Sequence, residues 1–164
     1  VEVVLDSGTC IGRGRRRVLV SSSALLEADV CAEGVRLAEE RASSLGGWTT
    51  ARHYAVPTTD VPVHESAPLL AWFGRAMAAI SPLIGRHFGL QPSFLRVHDA
   101  FVVKYTAQAQ AKLPMHFDES QLSITLPLND SADYVGGGTY FCSLRRALRP
   151  ERGRLLAFDG DLMH

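Results

Sequence analysis

Cysteine is scarce in this chain. Its 3 thiols, Cys10, Cys31 and Cys142, form no CxxC pair. That scarcity excludes a disulfide framework and a thiolate metal cluster, and free, mostly buried thiols are expected instead. An excess of one charge is lacking too: 17 basic residues stand against 17 acidic ones, for a formal net charge of zero. No bulk electrostatic grip on nucleic acid follows. The most apolar stretch, residues 67–84, is broken by Pro68, Gly74, Arg75 and Pro82, so no membrane span is expected. The first residue is Val1 rather than methionine. We read the natural start, with any targeting peptide, as lying upstream, which leaves the compartment illegible. What is present is 46% hydrophobic and 21% charged residues in 164 positions. That suffices for one buried core, and a single domain over 1–164 is expected.

Along the chain, 1–5 and 17–20 read as short strands around a Gly- and Arg-rich connection, 8–16, taken as a solvated basic turn. Gly8, Gly12 and Gly14 do not lie between a strand and a helix, so they are no dinucleotide fingerprint. Ser23 is a candidate N-cap for a helix over 24–43, with Leu26, Val30, Leu37, Ala38 and Ala42 on one stripe and Glu33, Arg36 and Glu40 opposite. An extended piece, 48–54, leads into a turn-like loop at Pro57-Thr58-Thr59-Asp60. Ser66 then caps a second helix, with Pro68 in its first turn and Leu69, Trp72, Phe73, Ala76 and Ile80 at helical spacing. Pro82 is expected to end or kink it.

From Phe94 onward the hydrophobic period falls to about two. Strand-like runs appear at 101–105, 122–128, 139–144 and 154–158, separated by Asn129-Asp130-Ser131, Gly136-Gly137-Gly138, Pro150-Glu151-Arg152-Gly153 and Asp159-Gly160-Asp161. The expected class is α+β, with helices laid on one face of an antiparallel jelly-roll-like barrel. The helical lead-in occupies 1–93 and the sheet core 94–164.

Chemistry concentrates in Leu113-Pro114-Met115-His116-Phe117-Asp118. In an extended segment residues two apart share a face, so the His116 imidazole and Asp118 carboxylate converge while Phe117 turns away into packing. A rolled sheet can bring His164 alongside them. Two histidines and one carboxylate make a facial triad that suits Fe(II) with open positions, and the same ligand types also suit zinc. His98-Asp99 is a poor dyad because adjacent strand residues face opposite ways. His53, His64 and His87 have no partners at ligand spacing and read as ordinary surface or capping histidines. The Gly136–Gly138 run has no following Lys-Ser or Lys-Thr and reads as an open strand entry. Asp159 and Asp161 read as a tight turn before His164.

The succession Asp99-Ala100-Phe101-Val102-Val103-Lys104-Tyr105, His116-Phe117-Asp118, Leu126-Pro127-Leu128-Asn129, Asp133-Tyr134-Val135-Gly136-Gly137-Gly138-Thr139-Tyr140-Phe141, Pro150-Glu151-Arg152-Gly153 and His164 resembles the catalytic domain of the Fe(II)- and 2-oxoglutarate-dependent oxygenases. Within them it is most similar to the procollagen lysyl hydroxylase and prolyl 4-hydroxylase branch, motif by motif over about 94–164. The resemblance implies a double-stranded β-helix with His116, Asp118 and His164 as iron ligands, and Tyr105 and Thr139 as contacts to 2-oxoglutarate. It further implies coupling of 2-oxoglutarate decarboxylation to hydroxylation of a substrate carbon, a peptidyl lysine or proline or a small molecule as substrate, and often ascorbate as reductant. One departure stands out. The family carries an Arg or Lys about ten positions past the distal histidine to pair with the far carboxylate of 2-oxoglutarate, whereas this chain stops at His164. An unpaired buried carboxylate is costly, so the core is expected to be cut at its C-terminal end, or the co-substrate to be held differently. Two other function classes fit less well: a zinc hydrolase, whose general base Glu119 would face away, and a non-catalytic jelly-roll binding module.

Overall fold

The computed structural model describes residues 17–164 and, before them, the backbone of strands β1 (Glu2–Leu5) and β2 (Thr9–Ile11). The Arg13, Arg15 and Arg16 turn lies outside the described residues. The chain continues through β3 (Arg17–Val20), α1 (Ala28–Ser44), β4 (Thr49–Arg52), β5 (Thr58–Pro62), α2 (Ala67–Phe88), β6 (Phe101–Val103), β7 (Leu122–Thr125), β8 (Thr139–Phe141), β9 (Arg146–Leu148) and β10 (Leu156–Asp159). One five-stranded sheet has the order β2-β1-β3-β10-β7, a second sheet is β4-β5-β6, and β8-β9 is a hairpin. Every pairing is antiparallel except that of β1 with β3. The architecture is α+β, as the change of hydrophobic period implied.

Alternation along β3 and β10 sorts the core into two sides, because successive strand residues face opposite ways. Leu19, Leu155 and Ala157 pack with Ile80, Leu83, Ile84 and Phe88 of α2. Val18, Val20, Leu156 and Phe158 turn to the other side and pack with Phe141 and Leu162. A third cluster joins α1, the first half of α2 and the second sheet through Leu37, Ala42, Val61, Leu69, Trp72 and Ala76. The helices cross where α1 has Gly34: a Cβ there would lie 2.5 Å from the Trp72 ring, so only glycine admits this approach.

Several elements depart from the sequence reading. α1 starts at Ala28 rather than after Ser23, because Leu25 and Leu26 donate their backbone N–H groups to the Gly153 carbonyl, at 2.7 and 3.2 Å, which draws 24–27 into a tertiary contact. Ser66 does cap α2, accepting from the Leu69 N–H at 3.4 Å. Pro82, however, does not end it. Burial of Leu83, Ile84 and Phe88 beyond the proline offsets the roughly 3 kcal/mol that an interior proline costs, and the Ser81 hydroxyl donates to the Met77 carbonyl one turn back. The 22-residue α2 is long and apolar enough to cross a membrane by length and composition alone, contrary to expectation; here its buried stripe serves two of the core clusters.

The loop expected at 57–60 is instead the start of β5, whose Asp60 and Pro62 stand opposite Val103 and Phe101. The run at 122–128 stops at Thr125, and Pro127 has no N–H with which to continue a ladder. The run at 139–144 is broken by a turn with Arg145 at φ 52°, after which the unforeseen β9 returns along β8. Of the thiols, Cys31 is buried, and its burial pushes its pKa up; Cys142 is exposed, against expectation, and Cys10 lies outside the described side chains.

Candidate metal centre

The segment carrying His116 and Asp118 is held against the chain end by backbone pairing. His116 and His164 exchange both N–H···O=C bonds, at 2.8 and 3.0 Å, and the Asp118 N–H donates to the Gly160 carbonyl at 3.0 Å. That is a hydrogen-bonded antiparallel pair, which sets the two Cβ atoms about 5 Å apart on one face. Asp118, two residues on from His116, shares the face. The anticipated tight turn delivers His164: Leu162 N–H bonds the Asp159 carbonyl at 3.0 Å just past β10. Gly160 permits the close approach, since a Cβ there would fall 2.0 Å from the Ser120 carbonyl oxygen.

The three ligand atoms lie within 4.8 Å of one another. His116 Nε2 is 3.4 Å from Asp118 Oδ1, and His164 Nε2 is 3.7 Å from Asp118 Oδ2. Each imidazole is oriented by its other nitrogen, His116 Nδ1 lying 2.9 Å from the Pro114 carbonyl and His164 Nδ1 2.8 Å from the Leu162 carbonyl. A carbonyl only accepts, so Nδ1 carries the proton in both neutral rings and each Nε2 offers its lone pair. Two such nitrogens and one carboxylate oxygen form a donor set that fits Fe(II) or Zn(II). His164 also rests against the Phe158 ring at 4.6 Å between centroids, and Phe158 against Phe141 at 5.0 Å.

Burial lowers the His164 pKa below its ordinary 6.5 and favours the neutral, ligating form. The folded chain therefore binds fewer protons at this site than the unfolded chain does. Stability from this residue is present above the unfolded value and is lost as pH falls through the lower folded one. Urea unfolding of the metal-free chain should show less stability at pH 5 than at pH 7.5, and His164→Gln should shrink that difference; an undiminished difference in the variant would contradict the assignment.

The remaining sequence candidates are placed less closely. Tyr105 lies two residues past β6, half exposed, and desolvation raises the pKa of its hydroxyl. Thr139 opens β8 opposite Leu148 and is partly buried. Phe117 was expected to pack inward, yet it is exposed. Glu119 is exposed as well.

Two features escaped the sequence reading. His53 does find carboxylates, its Nε2 lying 3.6 Å from Asp60 and 3.8 Å from Asp99, while Arg52 bridges the same two acids at 2.8 Å each. Their spacing is irregular and the β4–β5 register shifts between Thr49 and Arg52, so no motif could have announced the cluster. Near the triad, Ser123 Oγ donates to Asp118 Oδ2, and Ser120 Oγ lies 2.9 Å from Ser123 Oγ.

No family model matches the chain. Among curated proteins it is similar to procollagen-lysine,2-oxoglutarate 5-dioxygenase 1 of Gallus gallus and of Homo sapiens, each 31% identical over 114 residues, and of Rattus norvegicus, 32% identical over 114 residues. Each match covers 66% of this chain and 15% of the relative, so the chain spans a small part of the length of these proteins. The likeness supports kinship at the level of the 2-oxoglutarate dioxygenase superfamily.

Proposed function

We propose that this chain is the core of an Fe(II)- and 2-oxoglutarate-dependent dioxygenase that hydroxylates a carbon of a peptidyl lysine or proline. The observation that carries the reading is the convergence of His116, Asp118 and His164, whose candidate ligand atoms lie within 4.8 Å of one another with each Nδ1 engaged by a carbonyl and each Nε2 left to face the carboxylate. The distant likeness to procollagen-lysine dioxygenases supports the same class. Bound Fe(II), with 2-oxoglutarate, would supply the chemistry that couples oxidative decarboxylation to hydroxylation of an unactivated carbon.

The residues contribute geometry. His116, Asp118 and His164 would hold the ion from one side, which would leave room there for the co-substrate and dioxygen. The Phe158 and Phe141 rings close one flank of His164 against water. Tyr105 and Thr139 are assigned to the 2-oxoglutarate pocket. We further read 1–164 as one domain and its three sheets as belonging to a jelly-roll, with a peptide or protein as partner and ascorbate as reductant. A zinc hydrolase would need a base beside the metal, and the exposed Glu119, on the opposite face of the segment, is badly placed for that role.

Calorimetry tests the proposal. 2-Oxoglutarate should give a binding heat with the chain when Mn(II) is present, as a redox-silent stand-in for Fe(II), and none without it. No heat in the presence of Mn(II), with Zn(II) bound preferentially, would favour the hydrolase; no heat with any metal would favour a binding module or a core that lacks part of the co-substrate site.

A further inference from the structure

The hydroxyl chain beside Asp118 has a direction that the structure fixes. A serine hydroxyl has one proton to donate. Ser123 Oγ gives its proton to Asp118 Oδ2, so at the 2.9 Å contact with Ser120 it must accept, and Ser120 Oγ is the donor. Both serines are themselves fixed. Ser123 lies on β7 opposite Phe158 of β10. Ser120 precedes β7 in the segment that Gly160 clasps from both ends, its carbonyl accepting from the Asp118 N–H and its N–H donating to the Gln121 carbonyl at 3.1 Å. A hydrogen bond to a charged acceptor is stronger than a neutral one, and a chain of them polarises each member. The relay therefore restrains the Asp118 carboxylate about its last torsion.

We propose that Ser120 and Ser123 are positioning residues that fix the metal-binding carboxylate, engaging Oδ2 of Asp118 and turning Oδ1, 3.4 Å from His116 Nε2, to the ion. This rests on the reading of His116, Asp118 and His164 as a metal centre, and makes the relay a determinant of how tightly and in what geometry that centre binds.

Titration of the full chain with Co(II), followed through its visible d–d absorption, tests both levels. Ser123→Ala should raise the Co(II) dissociation constant about 10- to 100-fold, as loss of a partner to a ligating group does, and should shift the d–d band. Ser123→Thr keeps the hydroxyl and should restore both; a merely structural role would give neither the band shift nor the rescue. Ser120→Ala should give a smaller change in the same direction, and it decides by the same readouts where Ser123→Ala fails to fold. Unaltered affinity and band in Ser123→Ala, beside lost binding in Asp118→Ala, would overturn the relay alone. Co(II) uptake absent from the unsubstituted chain, or unaffected by Asp118→Ala, would overturn the metal reading and the relay with it.

Discussion

Asp118→Ala in the full-length protein should abolish conversion of 2-oxoglutarate to succinate while leaving the fold in place. In the proposed centre the carboxylate is one of three ligands, and two imidazoles alone neither balance the charge of a divalent ion nor fix three mutually adjacent positions. The affinity loss should exceed the roughly 10- to 100-fold that removal of an outer partner costs. The fold survives because the Asp118 N–H bond to the Gly160 carbonyl belongs to the backbone and the side chain is 31% exposed. His116→Ala should behave alike, since its backbone exchange with His164 is likewise independent of the ring. Glu119→Ala should leave turnover unchanged. The measurement is succinate formed per chain under air with Fe(II), beside a circular dichroism spectrum. Turnover near the unsubstituted level in a folded Asp118→Ala would end the oxygenase reading.

Phe158→Ala should destabilise the chain more than any surface change. Its ring is 1% exposed, in edge-on contact with Phe141 at 5.0 Å and with His164 at 4.6 Å. Truncating a buried phenylalanine costs about 3–5 kcal/mol, as lost transfer energy plus the cavity left behind. For a chain of this size that is roughly a 6–20 °C drop in Tm. One wall of His164 disappears with the ring, so metal retention should fall too, although no ligand is touched. Phe158→Leu, which refills most of the volume, should recover the larger share of both losses. Thermal unfolding and the Co(II) titration read them separately. A loss below about 1 kcal/mol for the alanine variant would mean that the pocket collapses or that the ring carries little of this core.

What local pattern decides was legible from the residues. Helical spacing placed Leu69, Trp72, Ala76 and Ile80 on the buried stripe of α2, and Ser66 at its cap. Period-two alternation located β6, β8 and β10 to within a few residues. It also put His116 and Asp118 on one face, because that needs only an extended backbone.

Failure came where a distant partner outweighed local preference. Gly153 took the amides that would have started α1 early, and burial against Leu19 and Leu155 carried α2 through Pro82. His53 met Asp60 and Asp99 across a sheet, and Ser123 reached Asp118 around a turn whose shape no spacing rule encodes. The sequence by itself determined the α+β class, the main elements and the three residue types of the candidate site. Only the tertiary structure decided that His164 meets His116 and Asp118 and that the Ser123 hydroxyl bonds the carboxylate. Periodicity and capping act over a few residues, whereas the mutual backbone bonds of His116 and His164 form only once β10 lies between β3 and β7, and that placement depends on burial summed over the whole chain.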